Sequence, residues 1–209
     1  MHIFGLTGGI ATGKSTIAAH WIQGGLPVVD ADHLSRLVVA PGTDGLREVV
    51  QLLGNDVLLP DGSLNRPAVA AIVFTDPAAR RALEAIAHPR IQAALQARMT
   101  ALESQGAALA CYEAPLLVEA GRADAFRPLV VVVAPERMQL ERATRRDAAD
   151  EGSLRARIAA QFPREEKAKV ADFVISNSGS VQELLIEADR VLAQICTRLG
   201  IDFACLERK

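Results

Sequence analysis

The chain reads as an α/β protein in which a parallel sheet of five strands is flanked by helices. Two observations lead there. Five short apolar runs, of the kind buried on both faces of a parallel sheet, alternate with helical patterns. The first run then enters Gly8-Gly9-Ile10-Ala11-Thr12-Gly13-Lys14-Ser15, which fits the phosphate-loop pattern G-x-x-x-x-G-K-[ST] at every fixed position and opens a helix. Strand, glycine loop and helix in that order are the setting the pattern requires.

Strand one is His2–Leu6, entered directly from Met1. Gly8 and Gly13 permit backbone angles that side chains resist, so successive N–H groups can turn inward around an anion. The helix beginning near Thr16 (Ile17, Ala18, Ala19, Trp21, Ile22) adds its positive end to the same spot. Lys14 is placed to neutralise β- and γ-phosphates, and the Ser15 hydroxyl to take one position around Mg²⁺. Gly9, Ile10, Ala11, Thr12, Gly13 and Thr16 complete the candidate nucleotide cradle.

Strand two, Pro27–Val29, leads into Asp30-Ala31-Asp32 at the sheet edge that faces the ligand crevice in open α/β folds. Alternation along an extended chain would point both carboxylates the same way. One acid is expected to cap the helix that follows, and the other to work. Asp32, nearer the next insertion, is the candidate for orienting an attacking hydroxyl, with an N-cap before His33-Leu34-Ser35-Arg36-Leu37 as its structural alternative.

From about Asp30 to Gly106 the chain is too long for one crossover and reads as helices, so a helical subdomain (about 33–105) is inserted into the sheet domain. Asp44–Leu53 is one helix, closed by Gly54; Asp61-Gly62-Ser63 is a turn; Arg66–Phe74 is a second helix. Thr75-Asp76-Pro77 starts a third, carrying Leu83, Ile86, Ala87, Ile91, Leu95, Met99 and Leu102 as one stripe. Pro89 is expected to bend or interrupt it, which makes His88 a boundary residue. This insertion is the natural place for a second substrate.

Strand three, Ala108–Tyr112, ends at Glu113, either a Walker-B-like acid reaching Mg²⁺ or a solvent-facing loop acid. After strand four, Leu129–Val133, the segment Pro135–Val170 is crowded with charge, including Arg137, Arg142, Arg145, Arg146, Arg155, Arg157 and Arg164. Such a run is either a solvated helical surface or a mobile lid that brings cationic forks to a triphosphate. Strand five, Phe173–Ile175, precedes Ser176-Asn177-Ser178-Gly179, where Asn177 either reads an adenine ring or belongs to an ordinary turn. The tail from Ser180 to Ile195 is an amphipathic helix packed on the sheet.

Bulk properties narrow the function. With 23 basic and 25 acidic residues the net charge is −2, which argues against a nucleic-acid binder. No apolar run approaches the roughly 20 residues a membrane helix needs. Cys111, Cys196 and Cys205 are widely spaced and form neither a redox pair nor a metal set, so a cytoplasmic setting is expected. A GTP-dependent switch would carry an N-K-x-D signature after a late strand, whereas Asn177 is followed by Ser178.

Taken together, several stretches resemble the dephospho-CoA kinase family. They are Leu6-Thr7-Gly8-Gly9-Ile10, Asp30-Ala31-Asp32 with Arg36, Asp61-Gly62-Ser63-Leu64-Asn65-Arg66, and His88-Pro89. Further on come Glu113-Ala114-Pro115-Leu116-Leu117 with Glu119, then Gln139 with Arg142 and Arg146, Gln161, and Ala171-Asp172-Phe173-Val174-Ile175 with Asn177 and Gly179. The resemblance implies a P-loop kinase that uses ATP with Mg²⁺ to phosphorylate the ribose 3′-hydroxyl of dephospho-CoA. It implies a core (about 1–32, 106–135 and 171–209), a CoA-binding helical insertion and a lid (about 136–170). It also implies Asp32, Lys14 and Arg142 as catalytic, Asn177 among the ATP contacts, and Thr7, Asp32, Arg36, His88 and Leu117 near the acceptor. ATP and dephospho-CoA are the implied partners of a monomer or small homo-oligomer, without nucleic acid or membrane. Another small-molecule P-loop kinase, for nucleoside monophosphates or shikimate, is the alternative. The chain departs from the family pattern at Ala11-Thr12, where Gly-Ser is frequent, and at Glu113, where Asp is frequent.

Overall fold

A computed structural model describes residues 1–147 and 150–203, so Cys205 and the end of the tail lie outside the described residues. The chain divides into two compact units, Met1–Val29 together with Leu102 onward, and Asp30–Ala101.

The first unit holds a sheet of β1 (His2–Gly8), β2 (Val28–Asp30, its last residue at the unit boundary), β3 (Leu109–Glu113), β4 (Leu129–Val133) and β5 (Phe173–Ser176), in the order β2-β3-β1-β4-β5. β1 lies between parallel neighbours, with His2 opposite Leu109 on β3 and Gly5 opposite Leu129 on β4. The chain therefore reverses direction across the sheet at β1, and the crevice at such a switch point lies beyond the strands' carboxyl ends. The phosphate loop leaves β1 at that place.

Helix α1 (Lys14–Gln23) leaves the loop and buries Ile17, Ala18 and Trp21 against the sheet, with Phe4 and Trp21 edge to face at 5.5 Å. The second unit is helical: α2 (Ala31–Leu37), α3 (Asp44–Leu53), α4 (Arg66–Thr75) and α5, which begins there and runs Pro77–Ser104. Its helices start where short polar side chains cap them. Thr43 accepts from the Leu46 amide, Asn65 from Ala68, and Asp76 from Ala78 and Ala79. Leu34, Leu46, Val49, Val57, Val69 and Leu95 fill its interior.

Two expectations fail in this unit. His88 lies inside α5 instead of at a boundary, because the helix runs on through Pro89 without interruption. Proline removes a backbone donor at that turn. Beside it, Arg90 donates one guanidinium N–H to the Ile86 carbonyl at 2.7 Å and another to Glu48 at 2.6 Å, tying this turn to α3. Second, Asp30 and Asp32 do not share an extended segment. β2 stops at Asp30, whose carboxylate caps α2 by accepting the Asp32 amide at 2.7 Å, and Asp32 is already helical.

The first unit resumes with α6 (Glu136–Asp147), α7 (Glu151–Ala159), α8 (Arg164–Lys169) and α9 (Val181–Leu199). Ser180 and Glu183 cap α9 reciprocally, and its Leu184, Ala188, Val191 and Ile195 join Phe4, Leu6, Ile17 and Trp21 in one core. Asp172 pins the start of β5. Its carboxylate accepts from Arg127 and the Leu129 amide, both at 2.8 Å, and from Arg198 at 2.9 Å. Partial burial works against that charge, but the three donations outweigh it and hold the carboxyl below its ordinary range. Cys111 is buried in β3, and burial pushes its thiol well above the usual value, so it is inert packing. Among the described residues no helix is long and apolar enough to cross a membrane.

Candidate active site

The site is built on the loop between β1 and α1. Gly8 and Gly13 have φ of 152° and 102°, and a Cβ at either would collide, with the Val132 carbonyl and the Asn177 amide nitrogen respectively. Ala11 has φ 54°, so the position where glycine is frequent does adopt a left-handed backbone even with alanine in it. The Thr12 hydroxyl donates to the Gly9 carbonyl at 3.0 Å and steadies the turn. Gly13 is the N-cap of α1 and no side chain caps that helix, which leaves its positive end to an anion. The Lys14 ammonium lies over the loop, donating to the carbonyls of Gly8 and Gly9, each at 2.9 Å.

Parallel pairing of β1 with β3 puts Leu6 opposite Glu113 and carries that acid to the loop. The Ser15 hydroxyl donates to Glu113 Oε1 at 3.3 Å, and Glu113 is only 9 % exposed. Glu113 is thus turned inward beside Ser15, not outward as a solvent-facing loop acid. A hydroxyl and a carboxylate side by side are the hard oxygen donors that magnesium takes. Among the described residues no three His, Cys, Asp or Glu side chains gather as a metal cage.

Beside the loop a pocket of about 350 Å³ is lined by residues 11–16, Arg142, Arg146, Asn177 and Leu184. Arg142 reaches it from α6 and donates to the Asn177 carbonyl at 3.3 Å and to Asn177 Oδ1 at 3.2 Å. The Asn177 amide in turn donates to the Thr12 carbonyl at 2.8 Å. Asn177 is buried, with its carboxamide bonded to the loop and to Arg142. Its place under Gly13 explains it: the closely approaching loop backbone leaves a carbonyl that needs a donor.

A second cavity of about 500 Å³ flanks the other side of the loop, between α6, α8 and the end of β4. Gln161 reaches from the α7–α8 link and accepts the Ile10 amide at 3.0 Å. On α6, Gln139 donates to the Ala134 carbonyl at 3.0 Å, while its Oε1 faces Gly9. Hydrophobic contact completes the attachment, as Ile10 and Ala11 pack on Leu140, Ala143 and Leu154 of α6 and α7. Sequence reasoning gave no role to Gln139, Gln161 or the buried Lys167, because a carboxamide in a charged segment has no spacing rule that marks it.

The remaining candidates divide between the two units. Thr7 and Leu117 are 0 % and 3 % exposed, so neither side chain is presented to a substrate in this conformation. Thr16 lies in the first turn of α1, exposed. On the helical unit Asp32 and Arg36 are exposed on α2, with the capping role taken by Asp30, and His88 is exposed on α5.

Comparison with known proteins adds a second line of support. A family model described as dephospho-CoA kinase matches residues 2–183. A dephospho-CoA kinase of Anaeromyxobacter dehalogenans is 50 % identical over 195 residues, 93 % of this chain and 92 % of the relative. A crystal structure from Thermus thermophilus superposes with a TM-score of 0.81 at 34 % identity, covering 93 % of this chain and 99 % of that one. A dephospho-CoA kinase structure from Campylobacter jejuni gives 0.69 at 28 %, covering 92 % and 96 %.

Proposed function

The chain belongs to the dephospho-CoA kinase family, and we propose that it transfers the γ-phosphoryl group of ATP to the ribose 3′-hydroxyl of dephospho-CoA, giving ADP and coenzyme A. The observation that carries this is the cradle itself. An uncapped helix end, a lysine and a serine–carboxylate pair 3.3 Å apart converge on one loop, in a chain that matches the family along most of its length.

Phosphoryl transfer asks a protein for alignment and charge neutralisation more than for covalent chemistry. The loop amides and the α1 terminus would bind the β-phosphate, and Lys14 would neutralise the β- and γ-phosphates. Ser15 and Glu113 would hold magnesium against those phosphates, where the ion supplies further charge neutralisation. Arg142, positioned by Asn177, would stabilise charge on the transferring group as arginine fingers do. On the helical unit, Asp32 would accept the proton of the 3′-hydroxyl as its oxygen bonds to phosphorus and the β–γ bridging oxygen departs with ADP. Asp32 suits this because Asp30 already supplies the cap. The helical unit is assigned to the acceptor and α6–α8 to the lid.

The test is ATP consumption by purified protein with dephospho-CoA, AMP or shikimate as acceptor, with the product weighed by mass spectrometry. Turnover with dephospho-CoA and a product one phosphoryl group heavier are expected. Turnover with AMP or shikimate alone would replace the assignment by one of those kinases.

A further inference from the structure

The α7–α8 link is tied down at two neighbouring residues by partners from different parts of the first unit. Gln161 holds the Ile10 amide of the phosphate loop at 3.0 Å. Phe162 donates its own amide to Glu119 Oε1 at 3.2 Å, in the segment that follows β3. The same Glu119 oxygen lies 2.6 Å from the ammonium of Lys167 on α8. That pair is enclosed, with side chains 2 % and 13 % exposed. It is an ion contact without hydrogen-bond alignment, and Glu119 Oε2 has no hydrogen-bond partner among the described residues.

Such a pair is a poor device for stability. Desolvating two charges offsets their attraction, and an apolar pair of equal volume commonly serves as well. What the pair does achieve is geometric. One carboxylate fixes both the start of the link and α8, and therefore fixes where Gln161 stands. Gln161 in turn fixes the Gly9–Ile10 corner, and Gln139 of α6 reaches the same side of Gly9. Helix α6 also carries Arg142, and it packs on α7 through Leu140, Ala143 and Leu154.

We propose that Glu119, Lys167 and Gln161 form a latch that sets the phosphate loop and the Arg142-bearing helix at the spacing phosphoryl transfer needs. None of the three touches a reacting atom; Glu119 and Gln161 are positioning residues. This rests on the kinase function proposed above. A displacement of about 1 Å in a catalytic group can cost about 100-fold in rate, so even a partly loosened latch should register as lost turnover.

The variants are Gln161→Met, which keeps shape but removes the acceptor, Glu119→Gln, and the two combined. Steady-state kcat and KM for both substrates, calorimetric ATP affinity with magnesium, and the unfolding temperature are measured for each. Gln161→Met and Glu119→Gln should each lower kcat by about tenfold with ATP affinity kept within about threefold, since alignment is lost and the cradle is kept. The double variant should lose no more than the worse single one, because both act through one link. If Glu119→Gln leaves Lys167 uncompensated and the protein unfolds, the charge-free pair Glu119→Gln with Lys167→Met takes its place. A kcat for Gln161→Met within twofold of wild type, a lowered unfolding temperature with unchanged kcat, or losses that multiply in the double variant would each overturn the latch while leaving the kinase assignment standing. Wild-type protein inactive on dephospho-CoA would remove the assignment and the latch with it.

Discussion

Ala11 offers a sharp test of how the phosphate loop is held. Its φ of 54° is left-handed, a conformation that costs an L-residue about 1–2 kcal/mol. Replacing it by glycine removes that strain. Two losses oppose the gain. Glycine loosens the unfolded chain, worth about 0.4–1 kcal/mol. The Ala11 methyl also packs, half-buried, on Leu140, Ala143 and Leu154, and a fully buried methylene is worth about 0.8 kcal/mol, so about half of that is forfeited. The opposing terms nearly cancel, which is why alanine survives at a glycine position. Ala11→Gly should therefore change stability by no more than about 1 kcal/mol, towards stabilisation, in urea unfolding with an unchanged m-value. Ala11→Val, β-branched at positive φ, should cost about 2 kcal/mol or more. In a Leu154→Ala background the packing loss shrinks, and Ala11→Gly should become distinctly stabilising. If Ala11→Gly destabilised the protein by more than about 1 kcal/mol, or if Ala11→Val were neutral, the balance of strain against packing would be wrong.

Three further outcomes follow from the site and its frame. Arg142→Ala should cut kcat steeply, approaching about 10³-fold if it acts as an arginine finger, and a kcat near wild type in steady-state assays would remove it from that role. Glu113→Gln keeps a neighbour for Ser15 but weakens a hard cation site, so the magnesium concentration for half-maximal turnover should rise about tenfold, read from a metal titration at saturating ATP. Asp172 has a carboxyl held below its ordinary value in the folded state. Its stabilising effect is therefore present above the unfolded carboxyl's pKa and is lost as pH falls through the lower folded value. Asp172→Asn should lower the unfolding temperature at neutral pH and flatten its decline in acid, and an acid limb as steep as that of wild type would show that other carboxylates carry it.

What the sequence made legible, and what it hid, divides along the range of the interactions involved. Gly8, Gly13, Lys14 and Ser15 follow from local rules, since backbone angle and helix polarity act within a few residues. Thr43, Asn65 and Asp76 belong to the same class, because a cap needs only its own helix. His88 misled because the pre-proline rule is local, whereas α5 runs on through Pro89 in a turn that Arg90 ties to Glu48 on another helix. The two aspartates misled for a related reason, since alternation holds only while the strand lasts, and β2 ends at Asp30. Asn177 and Gln161 were marked in the sequence, but their loop-holding bonds were not, because the partners lie 165 and 151 residues away and nothing in a carboxamide's surroundings announces such a partner. Glu113 falls between. Its strand position was readable, while its inward turn depended on pairing with β1.

The bonds that shape the loop come from several sides. Asn177 takes the Thr12 carbonyl from beneath, Gln161 takes the Ile10 amide from the α7–α8 side, and the Thr12 hydroxyl takes the Gly9 carbonyl within the turn. None of these partners is a side chain that caps α1, whose first turn is left without one. A loop made only of glycine-permitted angles would be free to wander, and binding phosphate would then have to order it at a cost in conformational entropy. Holding the backbone from outside removes that cost before the ligand arrives while leaving the anion-facing end of α1 open. It also ties the loop to Arg142 through Asn177 and to α7 through Ile10 and Ala11. Arg142 and the loop amides, to which the proposed reaction assigns the transferring phosphate, are therefore parts of one packed structure, so a change in either is felt by the other.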